Sequence, residues 1–168
     1  MHTTLWATLT ANGNYARNSA EHPPKPQALT DFGRQVAQTG NFVVGRRTFE
    51  AFAAGATGPA FGDEVDIVVV TSSPSGIPGV LTAPSPRAAL DLLAEKGHQS
   101  ALLAGGETLH NAFLAEGLVD ELVFVITPVL EAEGLHVVLP EDGFAELTQQ
   151  ECEDLGEGVT RMRYRVEK

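Results

Sequence analysis

Apolar residues recur at two spacings along this chain, and each spacing predicts one kind of element. The runs 41–45 (NFVVG), 66–71 (DIVVVT) and 101–104 (ALLA) carry no polar face, as expected of strands covered on both sides. Residues 5–10 form a first strand, with Leu5, Ala7 and Leu9 on one face and Trp6 on the other. A short strand is expected at 80–82, and another at 122–126, closed by Pro128. Between the strands the spacing becomes helical: Phe32 and Val36, Phe49 and Phe52, Leu90 and Leu93, then Leu109, Ala112 and Phe113. Thr30 is the expected cap of the first helix, with Gly40 just past its end. Ser85 and Pro86 start the third helix, which Gly97 ends, and Gly117 ends the fourth. Residues 144–151 and 159–166 alternate around Gly156-Glu157-Gly158, which predicts an antiparallel hairpin. The expected fold class is therefore α/β: one domain over 1–168, with a mostly parallel central sheet and an antiparallel C-terminal hairpin.

Three segments interrupt the pattern. Asn12-Gly13-Asn14 reads as a turn. Residues 17–27, with Pro23, Pro24 and Pro26, read as a long functional loop, and 55–62 as a flexible one. Residues 131–134 form a further loop. Gly33 breaks the first helix's propensity and suggests a close approach there.

Composition narrows the partners. The 168 residues carry a net charge of −11, which argues against nucleic acid and anionic membranes. No apolar run nears the ~20 residues of a membrane span, and the N-terminus lacks a signal-peptide pattern. The single cysteine, Cys152, lies between Glu151 and Glu153 and reads as a plain strand residue; a cytoplasmic location fits. Yet Arg17, Lys25, Arg34, Arg46 and Arg47 gather in the first third, so a small phosphorylated ligand remains compatible with the acidic whole.

Candidate chemistry lies at strand ends. Gly105-Gly106 removes side chains where a strand hands over to a helix, so backbone N–H groups can approach an anion. A tight turn alone would explain the pair equally well. Two further strand ends carry similar chemistry: Gly45-Arg46-Arg47-Thr48 and Thr71-Ser72-Ser73. Ligands of open α/β sheets bind at carboxyl ends of strands, and three such ends suit a ligand with several phosphates. Paired arginines grip phosphate, and a dinucleotide with a 2′-phosphate, NADPH, would use the whole set. No GxGxxG follows the first strand, and neither GxxxxGK[ST] nor GxSxG occurs. The five histidines are scattered, no metal site is expected, and His110 is expected at the surface. Glu21, His22 and Asp31 are the possible proton sources; Asp31, expected in the first helical turn, is the leading one, though a carboxylate there also offsets the helix dipole.

These residues resemble the dihydrofolate reductase superfamily. Gly45-Arg46-Arg47-Thr48-Phe49-Glu50 looks like its GR-x-T motif. Leu103-Ala104-Gly105-Gly106-Glu107-Thr108-Leu109, followed by Gly117-Leu118-Val119-Asp120-Glu121-Leu122, looks like its riboflavin-biosynthesis reductase branch. The resemblance implies a three-layer sandwich of the dihydrofolate reductase kind, an NADPH cofactor, a small heterocyclic substrate and a homodimer. It would place Gly45, Arg46, Arg47 and Thr48 at the pyrophosphate and 2′-phosphate, and Thr71, Ser72 and Ser73 near the adenosine. Ala104, Gly105, Gly106, Glu107, Thr108 and Leu109 would hold the pyrophosphate and nicotinamide side, with Thr8 and Ala16 touching the nicotinamide through backbone. Trp6, Phe32 and Leu103 would line the substrate. The departures fall on the substrate side: the branch's Ser-x-Asp-Gly-x-Ile-Ala segment is here Thr10-Ala11-Asn12-Gly13-Asn14-Tyr15-Ala16. The leading expectation is an NADPH-dependent reductase of a pyrimidine- or pterin-like compound. A true dihydrofolate reductase and a non-catalytic nucleotide-binding protein are the alternatives.

Overall fold

The structure is a computed structural model that describes residues 1–54, 61, 64–73 and 79–168. The expected loop at 55–62 lies outside the described residues except for Phe61. Parallel pairing joins β4 (Leu81–Ala83), β3 (Asp66–Val70), β2 (Asn41–Gly45), β5 (Ser100–Gly105), β1 (His2–Thr10) and β6 (Glu121–Thr127), in that spatial order. The hairpin β7 (Leu147–Gly156) and β8 (Val159–Val166) extends the sheet antiparallel, with β8 against β6.

The helices cover both faces. On one side α1 (Pro26–Thr39) packs Ala28, Phe32 and Val36, and α2 (Arg46–Ala54) packs Phe49 and Phe52, against Trp6, Phe42, Val44 and Val123. On the other α3 (Pro86–Glu95) and α4 (Glu107–Ala115) pack Leu90, Leu93, Leu109 and Phe113 against Leu5, Ala7, Val43 and Leu103. Three layers result, and the alternation of β1 explains them, since its two faces feed the two cores. β5 sits between β2 and β1, where the strand order reverses. At such a point neighbouring strand ends diverge and leave a crevice at their carboxyl side.

Some local expectations change. α1 begins at Pro26, not after Thr30, because Pro26 supplies the fixed φ of a first helical position and Ala28 extends the apolar stripe upstream. Thr30 is an interior residue, and Asp31 stands in the second turn. A side chain at Gly33 would meet nothing within 4 Å, so no close approach explains that glycine. β7 starts at Leu147, leaving Phe144 84% exposed. Ser85 caps α3 as expected, its Oγ accepting from the Ala88 N–H at 3.2 Å.

Candidate active site

The crevice at the reversal point is a cleft of about 690 Å³. Its floor is the carboxyl end of β1 and β5, through Ala7, Thr8, Ala104 and Gly105. One wall is aromatic. Trp6 and Phe32 lie 5.0 Å apart between ring centroids, and Phe52 stands 6.4 Å from Phe32. A flat ring inserted there would find apolar faces to stack on. The residues from Tyr15 to Pro26 form one rim, and those from Val129 to Ala132 the other.

The glycine pair stands where β5 meets α4. The Gly105–Gly106 peptide is cis, and Gly105 has φ +116°, a conformation that disfavours any side chain. A Cβ on Gly106 would lie 2.7 Å from Thr48 Oγ1, below any tolerable contact. The bare glycine thus lets the N-terminus of α2 close against the N-terminus of α4. The two helices follow adjacent strands, so their N-termini, with the unpaired N–H groups of a helix start, lie at the same edge of the sheet. Gly45 stands beside them: a Cβ on it would lie 3.7 Å from the Gly106 nitrogen.

Eight of the residues expected at the site line this cleft: Trp6, Thr8, Ala16, Phe32, Thr48, Ala104, Gly105 and Gly106. Gly45, Arg46, Arg47, Thr71, Ser72 and Ser73 lie outside it, on the neighbouring ends of β2 and β3, so they continue the same edge. Arg46 Nε donates to Glu50 Oε1 at 2.7 Å, while Arg47 is exposed and makes no ion pair among the described residues. Ser73 N donates to Thr71 Oγ1 at 3.2 Å, which curls the end of β3. Glu107 and Thr108, at the start of α4, are not among the residues lining the cleft, and Glu107 Oε1 accepts from Asn111.

Three expectations fail. Leu103 is wholly buried in the α3–α4 core and cannot line a substrate, because its position in β5 points away from the cleft. The Leu109 side chain belongs to that core as well, which leaves its backbone N–H at the start of α4 to face a ligand. Asp31 is 1% exposed and does not reach the cleft. Its Oδ2 accepts the Trp6 indole N–H at 2.9 Å and its Oδ1 accepts from Arg161 at 2.6 Å, so both oxygens are spent inside the fold. It locks the aromatic wall and is no proton donor. His110, expected at the surface, is buried beneath the glycine pair. Its spacing of three from Phe113 was the available signal, since the two share a helix face. Tyr15, whose hydroxyl meets His110 at 2.8 Å, had no signal beyond its place in the substrate segment.

The profile of the RibD C-terminal domain matches residues 3–161. The chain belongs to the RibD C-terminal domain family. That family places it among reductase-like proteins of riboflavin biosynthesis. No curated protein sequence matches the chain. Solved structures share its fold at low identity. A putative riboflavin biosynthesis protein from Shewanella sp. PV-4 superposes with a TM-score of 0.81 at 17% identity, each chain covered over 100%. RibD of Acinetobacter baumannii gives 0.74 at 17% identity, covering 99% of this chain but 58% of its own. A pyrimidine reductase-like protein from Corynebacterium diphtheriae gives 0.73 at 14% identity, over 99% and 92%. The RibD C-terminal fold thus accounts for the whole sheet, the terminal hairpin included. The chain spans little more than half of the Acinetobacter RibD.

Proposed function

We propose that this member of the family is an NADPH-dependent reductase that transfers a hydride to a pyrimidine- or pterin-like heterocycle. One observation carries the reading: Gly106, Thr48 and the two helix starts form an anion cradle at the lip of a cleft with an aromatic wall. The residues fit the cofactor. A pyrophosphate would lie at Gly105-Gly106 and Thr48, and the 2′-phosphate would meet Arg46 and Arg47. Thr71, Ser72 and Ser73 lie one strand further and would meet the adenosine, and Thr8 and Ala16 would flank the nicotinamide. The cofactor, when bound, supplies the hydride. The chain's own work is to orient the acceptor ring against Trp6, Phe32 and Phe52 and to keep water from that wall.

With Asp31 diverted into the fold, the ionisable groups left at the substrate rim are Arg17, Glu21, His22, Lys25 and Glu131. The reading as a dihydrofolate reductase loses its carboxylate. The same diversion favours, as second reading, a nucleotide-binding protein without turnover.

Titration with NADPH and NADH, followed by cofactor oxidation with dihydrofolate and with the ribosylaminopyrimidine phosphate, separates these readings. The double variant Arg46→Ala/Arg47→Ala should weaken NADPH at least tenfold, about 1.4 kcal/mol, and leave NADH within twofold. Equal losses would remove the 2′-phosphate assignment. Binding of NADPH without oxidation by either substrate would favour the second reading.

A further inference from the structure

Tyr15 and His110 belong neither to the aromatic wall nor to the anion cradle, yet both line the cleft. The His110 ring lies under the glycine pair, its Cε1 3.8 Å from where a Cβ of Gly105 would stand. His110 Nε2 is 3.1 Å from the Leu103 carbonyl oxygen, and Nδ1 is 2.8 Å from the Tyr15 hydroxyl. A carbonyl oxygen only accepts, so Nε2 carries the hydrogen. Burial lowers the imidazole pKa to about 4 against the opposing pull of the Leu103 carbonyl, so the ring is neutral at pH 7 and Nδ1 bears a lone pair. The Tyr15 hydroxyl must then be the donor to Nδ1. Its proton is held inward, and the remaining lone pair of its oxygen is free for a ligand.

The tyrosine is also fixed by its backbone. Its N–H donates to the Leu135 carbonyl at 2.8 Å, and it bridges antiparallel to Leu9. The two rings stack with centroids 5.8 Å apart and 28° between planes. Burial, and then the charge of Glu107, hold the Tyr15 phenol well above its usual range, so the pair keeps its polarity through neutral and moderately alkaline pH.

We propose that Tyr15, oriented by His110, is a one-way hydrogen-bond acceptor on the glycine side of the cleft that selects ligands presenting an N–H donor there. On the NADPH reading, on which this inference rests, that donor is the amide NH2 of the nicotinamide. A free phenol could meet either a donor or an acceptor. Held by His110, this one leaves an incoming carbonyl or methyl group without a partner and rewards an N–H.

The test compares three ligands by fluorescence titration: NADPH, its reduced 3-acetylpyridine analogue, in which a methyl replaces the amide NH2, and adenosine 2′,5′-bisphosphate, which lacks the nicotinamide. The wild type should bind NADPH about tenfold tighter than the analogue. Tyr15→Phe should bring that ratio to about one and leave the adenosine fragment unchanged, which also shows that the variant is folded. Equal wild-type affinities for NADPH and the analogue would overturn the assignment without any variant. So would a Tyr15→Phe protein that keeps the tenfold ratio. If neither NADPH nor the adenosine fragment binds the wild type, the cofactor reading fails first and this inference with it.

Discussion

Gly106 shows how much can hang on a missing methyl group. A Cβ on Gly106 would lie 2.7 Å from Thr48 Oγ1, so Gly106→Ala must displace the Thr48 hydroxyl or push α2 away from α4. Overpacking of this kind costs about 1–3 kcal/mol, readable as a lower midpoint in urea. The larger loss should be in anion binding, because Thr48 and the two helix starts make up the proposed cradle: NADPH affinity should drop at least tenfold, while Gly33→Ala, which meets open space, should change neither quantity adversely. The sequence pointed to this glycine through its neighbours in the strand–helix pattern. It could not point to Thr48 as the contact, because 58 residues separate the two and only the pairing of β2 with β5 brings them together.

Among the elements, the terminal hairpin has a part that its alternation did not announce. Arg161 of β8 reaches under α1 to Asp31 and bonds Glu151 of β7 at 3.0 Å, with Glu153 also in contact. Hairpin, α1 and β1 are thereby joined through one guanidinium and the Trp6 indole. Asp31→Ala leaves Arg161, 5% exposed, short of one partner and the indole N–H without an acceptor. The expected loss is about 3 kcal/mol, near the lower end for a broken buried pair because Glu151 and Glu153 remain. Denaturation should show it, whereas NADPH affinity measured on the folded fraction should stay within twofold. A hundredfold fall in affinity would return Asp31 to the cleft. The strands and helices themselves were legible because burial on one or two faces writes itself into spacing, as 101–104 and 159–166 show. The side-chain network was not, because Asp31 and Arg161 lie 130 residues apart and each alone looks like a solvated charge. His110 was misread for a related reason: a polar residue on an apolar face looks exposed until its partners are known.

For the molecule as a whole, the buried His110 links folding to acid. Its folded pKa of about 4 lies below the ordinary 6.5, so between those values the unfolded chain takes up a proton that the folded chain refuses. Stability must therefore decline as pH falls from about 6.5 to about 4, by roughly 3 kcal/mol from this group, and be unaffected by it above pH 7. Urea unfolding at pH 7.5 and 4.5 should show that decline, and a His110→Gln variant should show a shallower one. A second whole-molecule property concerns assembly. Leu139, Phe144 and Leu147, which line one groove, are 36%, 84% and 42% exposed. We propose that a second copy of the chain covers part of this surface; sedimentation should give a dimer, and Phe144→Asp should shift it toward monomer.

The two rims of the cleft are built very differently. Asn12 Nδ2 donates to the Glu131 carbonyl at 2.7 Å, Ala11 N to the Val129 carbonyl at 2.9 Å, and Tyr15 N to the Leu135 carbonyl at 2.8 Å. These bonds sew the start of one rim to the other across more than a hundred residues of chain. Arg17 N adds a bond to Glu131 Oε1 at 3.3 Å, which leaves the segment from Asn18 to Lys25, where Ser19 and His22 bond each other, as the part of that rim not sewn across. In hydrogen exchange the amides of Ala11 and Tyr15 should outlast those of Asn18, Ala20 and Glu21 by orders of magnitude. The cleft is then a bay with one fixed shore, and on the proposed reading the other shore is the side past which a ligand would enter and leave.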